Sequence, residues 1–261
     1  EPAWGLATGL LPDGYAHGKE LVEALHKWGQ HWGCPIVGGD IAFGLGPLSI
    51  TTTVVGRMTK PDAPARNIEP PAQAGGGGEG GGGPLACARG SMAYETAVRS
   101  PILRSGAKPG DELWLTGQVG GSLESGWHLR FAPRLDAGGA AARSDRVHAM
   151  IDLSDGLGRD AARLGAASGV RLIIEAAKLP ISHHSPGWLE AVREGEDYEL
   201  LMAIHPQYPE VSEPPLRLAP PLLGPIGVVR ACEVGEKPGA TIIDPYGREH
   251  DAETLGWDHG G

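Results

Sequence analysis

Residues 60–84 read KPDAPARNIEPPAQAGGGGEGGGGP. Five prolines, eight glycines and no apolar period leave this stretch nothing to bury. It cannot offset the entropy of ordering itself. No core helix or strand can run through it, so the chain must fold on either side. The glycine run has no Gly-Lys-Ser/Thr ending and no strand-to-helix setting, which argues against a phosphate loop. A flexible insertion is expected, with outer bounds at 58–98 and folded material at 1–57 and 99–261.

On both sides the periodicity changes. Residues 16–33 place Leu21, Leu25, Trp28 and Trp32 on one helical face, with Gly33 as a stop. CPIVGGD follows as a short apolar run closing on Gly38, Gly39 and Asp40. LSITTTVVG alternates, with Leu48, Ile50, Thr52 and Val54 on one face, and predicts a strand. Beyond the insertion, the Pro109-Gly110 turn precedes a predicted strand from Glu112 to Leu115. A strand at 149–153, a helix at 156–168 stopped by Gly169, and four further strand candidates complete the pattern. Strands interleaved with helices predict a mixed α/β or α+β protein.

The formal net charge of −10 argues against non-specific nucleic-acid binding, which needs Lys and Arg on phosphates. It leaves room for a phosphorylated small molecule, because bound metal ions invert the sign of an acidic site. Cys34, Cys87 and Cys232 are odd in number and far apart, with no disulfide framework or zinc spacing. No apolar run has membrane-spanning length and no secretory leader is visible, so a cytoplasmic protein with no membrane partner is expected.

The chemistry concentrates where apolar runs give out. In MIDLSDGLGRD (150–160), an extended Ile151–Ser154 puts Asp152 and Ser154 on one side, and Asp155 at the entry to a helix whose N–H groups face an incoming anion. Ser154 or Asp155 as a simple helix cap is the competing reading. VGGD repeats the theme, and EGEDYELL puts Glu196, Asp197 and Glu199 directly before another strand. Unpaired buried carboxylates cost several kcal/mol each, and converging ones raise one another's pKa. Mg²⁺, with hard oxygen ligands, relieves this between carboxylates and phosphates. Adjacent glycines allow a nucleotide close to the backbone. The spacing suggests a metal–phosphate site.

PIVGGD, LRSGAKPGDELWLTG, IDLSDGL, GEDYELL and GWDH, in this order, resemble the thiamine-monophosphate kinases. That family belongs to a superfamily with aminoimidazole ribonucleotide synthetase, selenophosphate synthetase and a hydrogenase maturation protein. The resemblance covers most of the chain outside 58–98. It implies a two-domain α/β (α+β) fold of the aminoimidazole ribonucleotide synthetase-like type. Residues 1–57 would be the remainder of an ATP-binding and dimerisation domain, incomplete here, and 99–261 the C-terminal domain. It further implies a homodimer, with ATP and thiamine monophosphate as substrates, Mg²⁺ as cofactor and thiamine diphosphate as product.

By the same resemblance, Gly39 and Asp40 take part in ATP and Mg²⁺ binding, and Arg104 contacts ATP. Asp152 and Asp155 ligate Mg²⁺, and Ser154 contacts the nucleotide. Glu196 and Trp257 contact thiamine monophosphate. No side chain acts as a covalent catalyst, since phosphoryl transfer rests on positioning and charge neutralisation. Arg104 supplies a planar donor, and Trp257 a π-face for a thiazolium worth about 0.5–2 kcal/mol. Read from sequence alone, Arg104 fits a surface charge and Trp257 an apolar anchor for the tail.

The chain departs from the family pattern at three places. Two N-terminal aspartate motifs that supply Mg²⁺ ligands are not in this sequence, so an N-terminally truncated member is expected. Glu194 stands where a glycine is usual. The connection ahead of HLRFAPR is short. The alternative functions are another ATP-dependent superfamily member, such as an aminoimidazole ribonucleotide synthetase, or a non-catalytic nucleotide-binding and dimerisation module.

Overall fold

The computed structural model describes residues 2–56, 101–206, 216, 218 and 220–256. The chain separates into two compact units, Glu1–Val98 and Arg99–Gly261. The expected insertion lies outside the described residues, as does Trp257.

In the first unit, β1 (Pro2–Pro12) is the centre of a three-stranded sheet. It pairs parallel with β2 (Ile36–Gly44) and antiparallel with β3 (Ser49–Gly56). The parallel pair needs a crossover, and α1 (Gly18–His31) supplies it. The helix stops where the sequence predicts, at Gly33 with φ 65°. Leu21 and Leu25 turn partly inward, while Trp28 stays 46% exposed.

The expected end of the apolar run at Asp40 is corrected. β2 continues to Gly44, with Asp40 opposite Thr8 and Gly44 opposite Pro12. Gly39 makes this possible, because a Cβ there would lie 1.7 Å from the Ala7 carbonyl oxygen. Glycine's lack of a side chain weakens strand propensity and hides such a strand from sequence reading.

The second unit holds a seven-stranded sheet in the order β10-β9-β6-β8-β4-β7-β5. Its strands are β4 (Glu112–Leu115), β5 (Val147–Asp152), β6 (Arg171–Glu175), β7 (Leu200–Ile204), β8 (Leu223–Arg230), β9 (Gly239–Ile243) and β10 (Glu249–Asp251). Only β6 and β9 pair parallel; the other neighbours are antiparallel. Side chains alternate across the sheet. Leu113, Leu115, Leu201 and Ala203 enter one apolar cluster, with Leu157 and Leu164 of α4 (Leu157–Ser168). Trp114, Met202 and Ile204 enter a second, with Ala137 and Ala141 of α3 (Leu135–Arg143). Both faces are therefore covered. Burial of a Leu or Ile side chain contributes about 1.5–3 kcal/mol, and this unit carries nearly all of the fully buried large residues.

Candidate active site

The antiparallel pairing of β5 with β7 places Asp152 opposite Leu200. The exit of β5 and the entry to β7 therefore share one end of the sheet. Leu115 of β4 lies opposite Leu201, which adds the loop after β4 to the same end. All three connections carry acidic or glycine-rich sequence.

The loops interlock through the backbone. Leu153 donates to Glu199, Tyr198 donates to Leu153, and Glu196 donates to Ser154, at 2.8–2.9 Å. Two glycines allow this approach. A Cβ on Gly195 would sit 2.5 Å from the Ser154 oxygen, and one on Gly156 about 3 Å from the carbonyls of residues 192–194. Glu196 (φ 63°) and Tyr198 (φ 52°) occupy the left-handed region, which side-chain-bearing residues rarely adopt. Such strain persists only where neighbours hold it and gathers at functional sites. Here the Ser122 hydroxyl donates to the Glu196 carbonyl at 2.6 Å, and the Trp127 indole donates to the Asp197 carbonyl at 2.9 Å.

The consequence is a convergence of acids. Burial raises the pKa of the Tyr198 phenol, and the charges of Glu196, Asp152 and Asp155 raise it further. The charges of three sequence-predicted residues thus reach one tyrosine, whose ring stacks on Phe131 at 4.3 Å. Asp152 is exposed at the strand end; Ser154 and Asp155 are partly exposed.

Neither Ser154 nor Asp155 caps α4, which corrects the competing reading. Gly156 precedes the helix, with no side-chain cap. Asp160, inside the helix and 1% exposed, accepts the N–H groups of Ser154 and Asp155 at 2.9 Å each. Burial raises its pKa against the pull of these donors and of Arg163. Arg163 pairs with Asp160 at 2.8 Å and also with Asp155.

A second tier of acids fixes the loop after β4. Asp197, 2% exposed, accepts the Gly120 N–H at 2.9 Å. Glu194, the residue in place of the usual glycine, accepts the Gly121 N–H at 2.5 Å. Burial, then the charges of Glu194 and Glu199, push Asp197 up to about 8. Glu199 accepts from the Thr116 hydroxyl at 2.6 Å and from Arg134 Nε at 2.7 Å. Sequence reading named Asp197 among the acids ahead of β7 but missed Asp160, Arg163 and Tyr198 as parts of this end of the sheet. The Gly-Glu-Asp-Tyr run contained the last of them.

Arg104 lies on the segment flanking β5, where the Leu103 carbonyl accepts from Met150 at 3.0 Å. Its side chain is exposed and makes no ion pair among the described residues. Gly256 comes close on the other side: a Cβ there would be 2.8 Å from the Asp155 oxygen. The chain leading to Trp257 therefore abuts the acidic loop. Gly39 and Asp40 belong to the first unit, where Asp40 is exposed and accepts the Ile41 N–H at 2.9 Å.

No group of three or more His, Cys, Asp or Glu side chains poised around one metal occurs among the described residues. The donor chemistry nonetheless fits Mg²⁺: Asp152, Asp155 and Glu196 are hard carboxylate ligands on loops at one end of the sheet.

The fold places the chain among two-domain α/β proteins of the aminoimidazole ribonucleotide synthetase-like type. The structure of AaThiL complexed with AMPPCP and TMP is similar with a TM-score of 0.66 at 22% identity, over 99% of this chain and 74% of that one. No family model matches the sequence. The thiamine-monophosphate kinase of Rhodopirellula baltica is 30% identical over 223 residues, 81% of this chain and 58% of the relative. That of Caulobacter vibrioides is 30% identical over 217 residues, 71% of this chain and 58% of the relative. By sequence the chain is similar to these thiamine-monophosphate kinases, and it spans 58% of the length of the two relatives.

Proposed function

We propose that the protein takes part in ATP- and Mg²⁺-dependent phosphorylation of thiamine monophosphate to thiamine diphosphate. The observation that carries this reading is the backbone interlock of the loops bearing Asp152, Ser154, Asp155 and Glu196 at one end of the sheet, in a chain similar to kinases of that name. In this reading Asp152 and Asp155 of the second unit are Mg²⁺ ligands, and Asp40 of the first unit is a Mg²⁺ ligand in its own right. Gly39, Arg104 and Ser154 meet the nucleotide, and Glu196 and Trp257 meet thiamine monophosphate.

A phosphate oxygen of thiamine monophosphate bonds to the γ-phosphorus of ATP as the bond from that phosphorus to the β–γ bridging oxygen breaks, and ADP leaves. Mg²⁺, when bound, neutralises the charge of two anionic reactants. The acceptor is already an anion, so the site needs no strong base. What the chain supplies is placement: the Glu196–Ser154 backbone bond fixes the substrate acid against the nucleotide loop. Arg104 offers a planar donor beside β5.

The first unit supports a homodimer in the same reading. Its sheet leaves Val37 63%, Phe43 64% and Val54 60% exposed, apolar area that a second copy would cover. No helix among the described residues is long and apolar enough to cross a membrane, in keeping with a cytoplasmic site of action.

The test is incubation with ATP, Mg²⁺ and thiamine monophosphate, with product separation by chromatography. Thiamine diphosphate and ADP in equal amounts are expected. Nucleotide binding without turnover replaces this reading with that of a binding module. Turnover of formylglycinamidine ribonucleotide instead replaces it with a synthetase.

A further inference from the structure

The acidic loop and α4 are joined in a closed cycle. Asp160 Oδ2 accepts the N–H groups of Ser154 and Asp155 at 2.9 Å each. Asp160 Oδ1 accepts from Arg163 Nη1 at 2.8 Å, and the same nitrogen donates to Asp155 Oδ2. The path leaves the Asp155 backbone, passes through a buried carboxylate and a guanidinium, and returns to the Asp155 side chain.

Each link is suited to its place. Asp160 is 1% exposed, so its orientation is set by packing and by two N–H groups. Three residues further along the helix, Arg163 lies on the same face as Asp160. Its charge offsets that of a carboxylate which would otherwise be buried alone. Arg163 is 42% exposed and Asp155 16%, so the pair lies at the rim of the loop. A carboxylate has two oxygens and roughly four lone-pair directions, so an arginine at Oδ2 does not exhaust it. Metal-binding carboxylates are commonly held this way by hydrogen bonds from behind.

We propose that Arg163 is the positioning residue for Asp155: anchored on Asp160, it fixes the direction in which the Asp155 carboxylate presents itself to a divalent cation. This rests on the reading of Asp155 as a Mg²⁺ ligand. Arg163 touches neither nucleotide nor acceptor in this scheme, and its effect reaches the cation through Asp155.

The probe is Mn²⁺, titrated in the presence of AMPPCP and followed by electron paramagnetic resonance. Arg163→Met is expected to weaken Mn²⁺ binding about 10–100-fold. Because Arg163→Met strands Asp160 in the interior, the double variant Asp160→Asn/Arg163→Met is measured beside it. The asparagine side chain of that double variant keeps an acceptor for the two N–H groups and carries no charge, so the loop stays clamped while Asp155 loses its contact with Arg163. The same weakening is expected there. Wild-type or tighter Mn²⁺ binding in the folded double variant overturns the proposal. Asp155→Asn separates the two levels: if it binds Mn²⁺ like the wild type, the assignment of Asp155 to the metal fails, and the role of Arg163 falls with it.

Discussion

The Glu196 backbone N–H donates to the Ser154 carbonyl at 2.8 Å, and Gly195 is the reason it can. A methyl group at position 195 would sit 2.5 Å from that same oxygen. Gly195→Ala should therefore part the two acidic loops and cost about 1–3 kcal/mol, the usual penalty of forcing atoms into a packed site. Urea unfolding measures the loss. The Tyr198–Phe131 stack should loosen too, read by near-ultraviolet circular dichroism. Wild-type values in both would show that the loops are not held by this contact.

On the proposed function, Asp155→Asn should abolish Mg²⁺-dependent turnover and leave the fold intact. Asparagine keeps the shape and one acceptor oxygen but not the charge. Turnover and thermal unfolding, measured on one preparation, check both halves. Unchanged turnover removes Asp155 from the site.

Arg134 pairs with Glu199 while only 20% and 2% of their side chains are exposed. Arg134→Ala would leave the Glu199 carboxylate buried with the Thr116 hydroxyl but no cation. Removing one partner of a buried pair costs about 3–5 kcal/mol, and equilibrium denaturation should show a loss of that size. A loss below about 1 kcal/mol would place the pair with surface bridges.

Asp197 gives stability a pH dependence of defined sign. Its folded pKa is pushed up to about 8, against an ordinary 3.8, chiefly by burial. Between those values the folded state holds a proton that the unfolded state has released. Stability therefore falls as pH rises from about 4 to about 8 and levels off above. Asp197→Asn keeps an acceptor for the Gly120 N–H and removes the titration. Denaturation at pH 5.5 and 8.5 should show the wild type losing stability and the variant losing less. Parallel losses would assign the slope to other groups.

Gly39→Ala should break the pairing of β1 with β2, since the added carbon would overlap the Ala7 carbonyl at 1.7 Å. Loss of strand signal by circular dichroism, with the second unit still folded, is the expected result. An unperturbed sheet would mean that the strands can shift to accept it.

What could be read from the sequence divides by physical cause. β4 and the helix stops at Gly33 and Gly169 were legible because each is a local signal: an apolar run after a Pro-Gly turn, or a glycine in the left-handed region. The extension of β2 past Asp40 was not, since glycine-rich strands lack the alternating side chains by which a strand is recognised. Asp160 reads as one more polar residue of an amphipathic helix. Only the tertiary fold turns it beneath Ser154 and Asp155. Asp197 and Glu194 sit in an obvious acidic run, but their partners, Gly120 and Gly121, are remote in sequence. The positive φ of Tyr198 has no glycine to announce it.

Thr116, Arg134 and Glu199 form one buried unit drawn from three separate stretches of chain. None of the three can drift alone without stranding the others, so their replacement in evolution would have to be concerted. Descendants of this sequence should keep all three or exchange them as a set.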